Sequence, residues 1–303
     1  MSTHLVHILK HNSYLSIDRG CLVCKYEDEE RRLPLADILA VIIAARGVGF
    51  SGEALSSIIN NGAVILHCDH SYKPIGKTIG LSNIVHVGTF ESQLTFNPKM
   101  ADNIWQKIIT AKIANQAHLL DYLKVEHKLW DYLKTGNNDE GNAARHYWGF
   151  YFKQFGRKNP KTRERRGATD PVNSMLNYGY AVIGALLHRS LLAHGLNTSI
   201  GVHHKLHFKS DPLLYDAIEP VRPICDFLLL KYRQDNPSDK IEDWVKTAAK
   251  NIMFCKIKTI DNKRIKLVNA IDFYASSLAN VYRFGNIKSL FIPSILGAYF
   301  EGD

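Results

Sequence analysis

The pattern of apolar residues changes once along this chain, and this change constrains the fold more than any other feature. Before about residue 88, apolar residues occur in short segments separated by turn residues, which predicts β-strands. From Asn97 onward the spacing becomes that of helices. We therefore predict an α+β protein with a small N-terminal β-rich domain over residues 1–88, a linker over 89–96 and a larger, mainly α-helical domain over 97–303. The strand segments are His4–Leu9, Tyr14–Ile17, Cys21–Tyr26, Arg31–Pro34 and Ile38–Ile43, and the first helical positions are Trp105, Ile109, Ile113, Leu120 and Leu123.

Turn and capping residues refine this outline. Within the first domain, the sequence predicts a helix over Glu53–Asn60, a buried strand over Gly62–Cys68 and a loop over Pro74–Thr89. In the second domain, Asp170-Pro171 is a strong helix start and Gly195 a strong stop.

A second helix start follows at Asp211-Pro212, and Pro220 and Pro223 bend that helix. The helix that starts at Asp170 also carries a polar stripe. Three interpretations of this stripe stay open: part of a functional site, a hydrogen-bonded network in the core, or ordinary exposed surface. It consists of Asn173, Asn177 and Tyr180.

Composition excludes several classes of protein. With 303 residues, of which 46% are hydrophobic and 22% charged, the chain can bury a core and is neither disordered nor collagen-like. Five thinly spread cysteines are interpreted as thiols. No apolar stretch approaches the ~20 residues of a membrane-spanning helix, and the N-terminus lacks a signal-peptide pattern. We expect a soluble, cytoplasmic protein with no membrane partner. Hydride transfer and NTP hydrolysis have no supporting motif.

Positive charge is concentrated in one segment. The chain has 38 basic and 29 acidic residues, a net charge of +9, and the whole excess falls after residue 90. Its densest part is the run 153–166, where Gly156 and Pro160 indicate a loop. Such a loop binds nucleic-acid phosphates, or it is merely a solvated charge run; composition does not decide. Its basic residues are Lys153, Arg157, Lys158, Lys161, Arg163, Arg165 and Arg166.

Three places carry residues suited to chemistry. Asp139 and Glu140 form a carboxylate pair, although such a pair at a helix start commonly acts as a cap. The segment GVHHKLH from Gly201 holds three histidines in five residues, which raises the chance of metal binding, whereas lone histidines are usually structural. Asp216 and Glu219 are spaced to lie on one helix face.

Two carboxylates on one apolar helix face need a counter-ion. His203 and His204 lie just upstream of the helix start at Pro212, so a short loop could place an imidazole over Glu219. An imidazole together with carboxylates makes an oxygen-rich site with open positions. Such a site suits Mg²⁺ or Mn²⁺ better than structural Zn²⁺.

Several blocks of the sequence resemble one known family in order and spacing. They are EGNAARHYWGFYF from Glu140, DPVNSMLNYGYAVI from Asp170, GVHH followed by YDAIEPVRPICD to Asp226, WQKIITAKIANQAHLL from Trp105 and PIG at 74–76. In these blocks the chain resembles the CRISPR-associated adaptation integrase, the CRISPR-associated protein conventionally numbered one. The double histidine and the glutamate of IEP resemble the branch found with single-protein, RNA-guided effectors (type II).

The resemblance implies a metal-dependent DNA integrase and endonuclease of CRISPR spacer acquisition. Such an enzyme joins the 3′-OH ends of short double-stranded DNA to the CRISPR repeat by transesterification. The implied catalytic residues and ligands of Mg²⁺ or Mn²⁺ are Glu140, His204 and Glu219, although many relatives carry Asp at the last position. His203, Asp216, Asn173 and Tyr180 would lie around them. The basic run, with Lys205 and Arg222, would bind DNA.

The resemblance also implies partners. These are prespacer and repeat DNA, a second copy of the chain paired through residues 1–88, and the small CRISPR-associated adaptation protein numbered two. Other adaptation proteins or the effector would complete the assembly. Two other functions stay open at this point: a non-catalytic DNA-binding scaffold with structural carboxylates, and a metal-dependent phosphoesterase acting on nucleotides or RNA.

Overall fold

The computed structural model describes residues 4–80, 87–134, 139–156, 162–165, 167–205, 211–258 and 263–296. Strand-rich sheets form the N-terminal part and helices predominate after it, which confirms the α+β prediction. The strands are β1 (His4–Ile8), β2 (Tyr14–Asp18), β3 (Cys21–Tyr26), β4 (Glu29–Pro34), β5 (Ile38–Ile43), β6 (Gly49–Phe50), β7 (Val64–Cys68), β8 (Pro74–Thr78), β9 (Lys256–Lys258) and β10 (Arg264–Lys266). The helices are α1 (Gly52–Asn60), α2 (Val87–Leu94), α3 (Pro98–Tyr122), α4 (Leu129–Lys134), α5 (Glu140–Tyr151), α6 (Pro171–Ala193), α7 (Pro212–Ala217), α8 (Arg222–Asp235), α9 (Ile241–Phe254) and α10 (Leu267–Phe284).

A four-stranded sheet in the order β1-β5-β7-β8 lies between the second sheet and the helices. Strands β1, β5 and β7 are parallel, and β8 is antiparallel to β7. Every residue of β5 is buried, as expected for a parallel strand that is covered on both faces. Ala40 and Ile42 belong to the core shared with the helices, whereas Val41 and Ile43 belong to the core shared with the second sheet. The sheet and the helices therefore share one continuous core.

The second sheet has the order β4-β3-β2-β6. Strands β2, β3 and β4 are antiparallel neighbours, and β6 pairs in parallel with β2. Leu15 and Leu22 of this sheet are buried against Ile38 and Ile65 of the first sheet. The outer face of the first sheet is thus covered by strands, and its inner face by helices.

Helix α6 lies at the centre of the helical part and packs against α8, α9, α10 and the first sheet. It begins where the sequence predicts, because the side chain of Asp170 accepts a hydrogen bond from the backbone N–H of Asn173 at 2.8 Å. It ends before Gly195, whose φ of 79° is the left-handed conformation that favours glycine. Gly179 permits the close approach of α8, because a Cβ there would lie 2.5 Å from Sγ of Cys225.

Two segments expected to be irregular form regular elements. Residues Pro74–Thr78 were predicted to be part of a loop but form β8, an edge strand, where proline is tolerated. Residues 89–96, the predicted linker, mostly belong to α2. Buried Gln93 on α2 donates to the carbonyls of Asn197 and Ile200, both at 2.9 Å, so α2 is stabilised by tertiary contacts. The boundaries of the two domains stay predictions.

The helical part also contains an antiparallel pair of short strands, β9 and β10, which the sequence did not predict. Ile257 of β9 is fully buried and lies opposite Ile265. All five cysteines are free thiols, as predicted. Among the helices in the described ranges, none is long and apolar enough to cross a membrane.

Candidate functional site

Two predicted site residues, Glu140 and Glu219, meet at a lysine. Glu140 is the first residue of α5, where Asp139 caps the helix by accepting a hydrogen bond from the N–H of Asn142 at 3.0 Å. Lys112, in the middle of α3, donates from Nζ to Oε1 of Glu140 at 2.7 Å. The same Nζ lies 2.6 Å from Oε2 of Glu219. The fold therefore brings two acidic side chains from separate parts of the chain onto one positive charge.

Glu219 is almost inaccessible, with 6% of its side chain exposed. Its Oε1 accepts a hydrogen bond from Nη1 of Arg222 at 2.6 Å, and its Oε2 faces Lys112. Burial by itself raises the pKa of Glu219. The positive charges of Arg222, Lys112 and Arg165 outweigh burial and lower this pKa from 4.5 to about 2. Glu219 is therefore an anion at neutral pH.

Asp216 and Glu219 do not share a helix face, contrary to the prediction from their spacing. Helix α7 ends at Ala217, and Glu219 lies in the turn that leads to α8. Pro220 explains the difference, because its ring disfavours helical backbone at the residue before it. The two carboxylates consequently have different partners: Asp216 contacts the histidine segment, and Glu219 contacts Lys112.

Asp216 organises the histidine loop, which we define as residues 201–205. Its Oδ2 accepts hydrogen bonds from the backbone N–H groups of Val202 at 2.7 Å and His203 at 2.8 Å, and its Oδ1 is bonded to Nδ1 of His204. Gly201 permits this fold, because a Cβ there would lie 2.2 Å from the carbonyl oxygen of His204. A carboxylate bonded to Nδ1 favours the tautomer that leaves Nε2 of His204 able to bind a ligand.

The two adjacent histidines have different surroundings. The ring of His203 stacks on that of Trp105, with centroids 4.3 Å apart and 3° between the planes. His204 meets the same indole edge-on at 5.9 Å. Asp216 thus fixes the ring of His204, while Trp105 fixes that of His203. The assignment of His204 as a ligand stays a prediction.

The carboxylate pair has the donor chemistry that Mg²⁺ and Mn²⁺ prefer. The ammonium of Lys112 shows that one cation fits between Glu140 and Glu219. In the part of the chain that the structure describes, no group of three or more His, Cys, Asp or Glu side chains could hold a metal ion. Among the described residues, Glu140, His204 and Glu219 do not form such a group, and Lys112 lies between the two carboxylates.

A cleft of about 1230 Å³ opens beside Glu219. The described residues that line it include six basic and four acidic side chains. The basic ones are Lys73, Lys77, Lys112, Arg163, Arg165 and Arg222, and the acidic ones are Asp69, Asp211, Glu219 and Asp226. This excess of positive charge favours an anionic ligand.

The cations predicted to bind DNA differ in exposure. Lys153, Arg165 and Lys205 are exposed, whereas Arg163 and Arg222 are half-buried and bonded to other side chains. Exposure favours the first three for contact with phosphates, and the last two also stabilise the site. The remaining predicted cations, Arg157, Lys158, Lys161 and Arg166, lie outside the described residues.

The asparagines of the polar stripe form a hydrogen-bonded network, which is one of the alternatives that the sequence left open. Oδ1 of the fully buried Asn173 accepts from Nη1 of Arg163 at 2.9 Å and from the backbone N–H of Glu164 at 3.0 Å. Oδ1 of Asn177 accepts from Nη2 of Arg163 at 2.6 Å. These contacts fix Arg163 at the wall of the cleft.

Tyr180, the third member of the stripe, connects the cleft to a buried acid. Its hydroxyl donates to Oδ1 of Asp226, and that of Tyr147 donates to Oδ2 at 2.8 Å. Burial raises the pKa of Asp226 to about 6, although these hydrogen bonds oppose the change. The guanidinium groups of Arg163 and Arg222 lie over the ring of Tyr180, at 5.1 and 5.4 Å from its centroid. Tyr180 therefore positions both arginines.

Asn115 of α3 fixes the backbone next to Glu219. Its Nδ2 donates to the carbonyl oxygens of Pro220 at 2.7 Å and Pro293 at 3.0 Å, and its Oδ1 accepts from the N–H of Ile295 at 2.9 Å. Helix α3 thus holds both the side chain of Glu219 and the backbone that follows it.

Comparison with known proteins identifies the family. The family model described as CRISPR associated protein Cas1 matches residues 6–253, which is most of the chain. The chain belongs to the Cas1 family. This confirms the resemblance seen in the sequence blocks.

Individual relatives and solved structures agree with this membership. The CRISPR-associated endonuclease Cas1 of Neisseria meningitidis serogroup C is 28% identical over 303 residues, covering 95% of each chain. A CRISPR-associated endonuclease Cas1 of Francisella tularensis subsp. novicida is 28% identical over 284 residues, covering 86% of this chain and 88% of the relative. A casposase bound to integration product has a TM-score of 0.80 at 20% identity, covering 95% of this chain and 92% of that one. A CAS1 protein from Thermotoga maritima has a TM-score of 0.78 at 14% identity, covering 92% and 97%. These structural likenesses establish the shared fold.

Two residues that line the cleft, Lys112 and Asp226, were not predicted from the sequence, although both carry a signal. Lys112 follows Ile109 by three positions and so lies on the apolar face of α3, where a lysine is found only with a partner. Asp226 is embedded in the apolar run ICDFLLL. A charged residue on an apolar helix face indicates a buried partner in any chain.

Proposed function

We propose that this chain is a metal-dependent DNA integrase and endonuclease of CRISPR spacer acquisition, of the type II branch. It would join the 3′-OH ends of short double-stranded DNA to the CRISPR repeat by phosphodiester transesterification. The observation that carries the proposal is the convergence of Glu140 and Glu219 on one cation beside a basic cleft. The endonuclease names of the relatives support nuclease chemistry, and the casposase neighbour, bound to integration product, supports strand joining.

The proposed metal ligands are Glu140, Glu219 and His204. A bound Mg²⁺ or Mn²⁺ would lower the pKa of the attacking hydroxyl and neutralise charge on the phosphate oxygens. The chain's own contribution is to hold the donors: Arg222 and burial fix Glu219, the first turn of α5 fixes Glu140, and Asp216 orients His204. No serine or cysteine nucleophile is needed for this chemistry, because the attacking group is a DNA hydroxyl or water.

The exposed cations Lys153, Arg165 and Lys205 would contact DNA phosphates without reading bases. Replacing Arg165 by glutamate should weaken binding of duplex DNA and reduce the salt dependence of binding, by about 0.9 in the log–log slope for each phosphate that the protein no longer neutralises. Lys99, which is exposed at the start of α3, provides the control through Lys99→Glu. An unchanged salt slope in Arg165→Glu would argue that the basic run is merely solvated.

The proposed partners are prespacer and repeat DNA, a second copy of the chain paired through the N-terminal domain, and Cas2, with other adaptation proteins or the effector completing the assembly. A solved Cas6-RT-Cas1–Cas2 complex among the structural neighbours supports the Cas2 partner. In this proposal residues 97–303 carry out catalysis and DNA binding.

A strand-transfer assay on supercoiled repeat DNA with Mn²⁺ tests the function. Glu140→Gln and Glu219→Gln should each lower the rate of strand transfer by about 100-fold or more, because the metal stabilises the transition state by several kcal/mol. Glu126→Gln, at an exposed position on the connection between α3 and α4, should retain the wild-type rate, and a chelator should abolish wild-type activity.

Each alternative function predicts a different result in the same assay. DNA binding without any metal-dependent strand transfer by the wild type would indicate a non-catalytic scaffold. Cleavage of nucleotides or RNA that lack a duplex, in preference to DNA, would indicate a phosphoesterase. Full activity in Glu140→Gln or Glu219→Gln would remove that residue from the site.

A further inference from the structure

Lys112 occupies an unusual position for a lysine. Only 7% of its side chain is exposed, and it lies on α3 among the fully or almost fully buried residues Ile108, Ile109 and Ile113. A lysine is rarely buried without a partner, because desolvation of the ammonium is costly. The partners of Lys112 are the carboxylates of Glu140 and Glu219.

The two carboxylates are held closely together by this ammonium. The distances from Nζ to Oε1 of Glu140 and to Oε2 of Glu219 add to 5.3 Å, which is the largest separation that these two oxygens can have. Arg222 binds the other oxygen of Glu219. Without Lys112, two like charges would lie close together with less compensation, which is unfavourable in a partly buried site.

A divalent ion held by both carboxylates would compete with the ammonium for them, because Nζ already faces one oxygen of each and Arg222 binds the other oxygen of Glu219. Mg²⁺ takes oxygen ligands at about 2.1 Å, so an ion held by both carboxylates would lie in the space between them. Nζ already lies between the two carboxylates, and its positive charge repels a second cation at that point. Nζ would therefore have to move away for both carboxylates to hold the metal.

We propose that Lys112 is a positioning residue that holds Glu140 and Glu219 together before the metal binds and competes with the metal for them. This inference rests on the proposed function, because it takes the two glutamates as metal ligands. A purely structural ion pair would stabilise the fold without opposing metal binding. The two roles differ in their effect on metal affinity.

The test combines thermal unfolding in a chelator with calorimetric titration of Mn²⁺ into the full-length protein. Lys112→Met removes the ammonium and keeps the aliphatic stem. It should lower the melting temperature of the metal-free protein and tighten Mn²⁺ binding by about tenfold, a change that corresponds to about 1.4 kcal/mol. The matched control is Lys99→Met, an exposed lysine on the same helix, which should change neither quantity.

A double variant separates charge repulsion from lost packing. Adding Glu140→Gln to Lys112→Met removes one of the two like charges, so the metal-free melting temperature should rise above that of Lys112→Met alone. Mn²⁺ binding should be lost in the same protein. If Lys112→Met does not fold, Lys112→Gln replaces it in both comparisons, because its amide can still donate hydrogen bonds to the carboxylates.

The outcomes distinguish this inference from the proposed function. Equal or weaker Mn²⁺ binding by Lys112→Met, with normal binding by the wild type, would overturn the role of Lys112 and leave the proposed function intact. Wild-type protein that binds no Mn²⁺, or binds it equally well after Glu140→Gln, would overturn both.

Discussion

Replacing Glu219 by glutamine should destabilise the metal-free protein at neutral pH. The substitution keeps the shape of the side chain and removes a charge that faces Arg222, Lys112 and Arg165. An acidic residue at an active site is often expected to cost stability through desolvation and like-charge repulsion. Here the neighbouring cations outnumber the second carboxylate, Glu140. We therefore expect the charge of Glu219 to stabilise the folded protein.

The magnitude follows from the pKa of Glu219. A pKa lowered from 4.5 to about 2 in the folded protein corresponds to about 3 kcal/mol of stabilisation by the charged form. This contribution is complete above pH 4.5 and is lost as the pH falls toward 2. At pH 3.5 about 1.4 kcal/mol of it is already gone, because the unfolded chain takes up the proton first. The advantage of wild type over Glu219→Gln should shrink by that amount.

Urea unfolding of wild type and Glu219→Gln in a chelator, at pH 7, 5 and 3.5, measures these free energies. Glu126→Gln, at an exposed position, controls for the general effect of losing one acidic group. A Glu219→Gln protein as stable as wild type at pH 7, or a difference that does not vary with pH, would refute the electrostatic account of the site.

Two further predictions concern residues behind the site. For Asp226→Asn we expect the opposite dependence of stability on pH. The pKa of Asp226 is raised from 3.8 to about 6, so its protonated form stabilises the folded protein by about 3 kcal/mol below pH 3.8. This stabilisation is lost as the pH rises through 6. Urea unfolding between pH 4.5 and 7 should therefore show wild type losing stability relative to the variant, and parallel curves would contradict this. Asn115→Ala leaves the carbonyls of Pro220 and Pro293 and the N–H of Ile295 without their hydrogen-bond partner, so urea unfolding should show a loss of about 2–4 kcal/mol. A loss below about 1 kcal/mol would mean that water replaces the amide.

Elements whose ends depend on neighbouring residues could be predicted from the sequence. Asp170 and Gly195 bracket α6 because a cap and a left-handed residue act locally. The run Ile38–Ile43 is β5, because six consecutive apolar residues suit a strand buried on both faces. By contrast, β8 and α2 depend on the elements that they pack against: β8 pairs with the buried strand β7, and α2 is held through Gln93 by residues about 100 positions away. Their own residues do not favour either structure strongly.

The contacts of the candidate site also differ in whether the sequence predicts them. The sequence blocks identified Glu140 and Glu219, and the fold brings both to one point. That Lys112 is the shared partner depends on how α3 packs against α5 and against the turn after α7, which no local pattern determines. The different partners of Asp216 and Glu219 follow from Pro220, which ends the helix between them. The sequence shows the proline, but it does not show that Asp216 and Glu219 contact different partners as a result.

We propose that Glu140 and Glu219 form a site for one divalent cation. Anomalous diffraction from crystals of the protein grown with Mn²⁺ tests it most directly. We expect an anomalous peak at the carboxylate oxygens of both residues, with Nζ of Lys112 displaced from between them. A peak that contacts neither carboxylate, or no peak with Nζ still bridging Glu140 and Glu219, would contradict it.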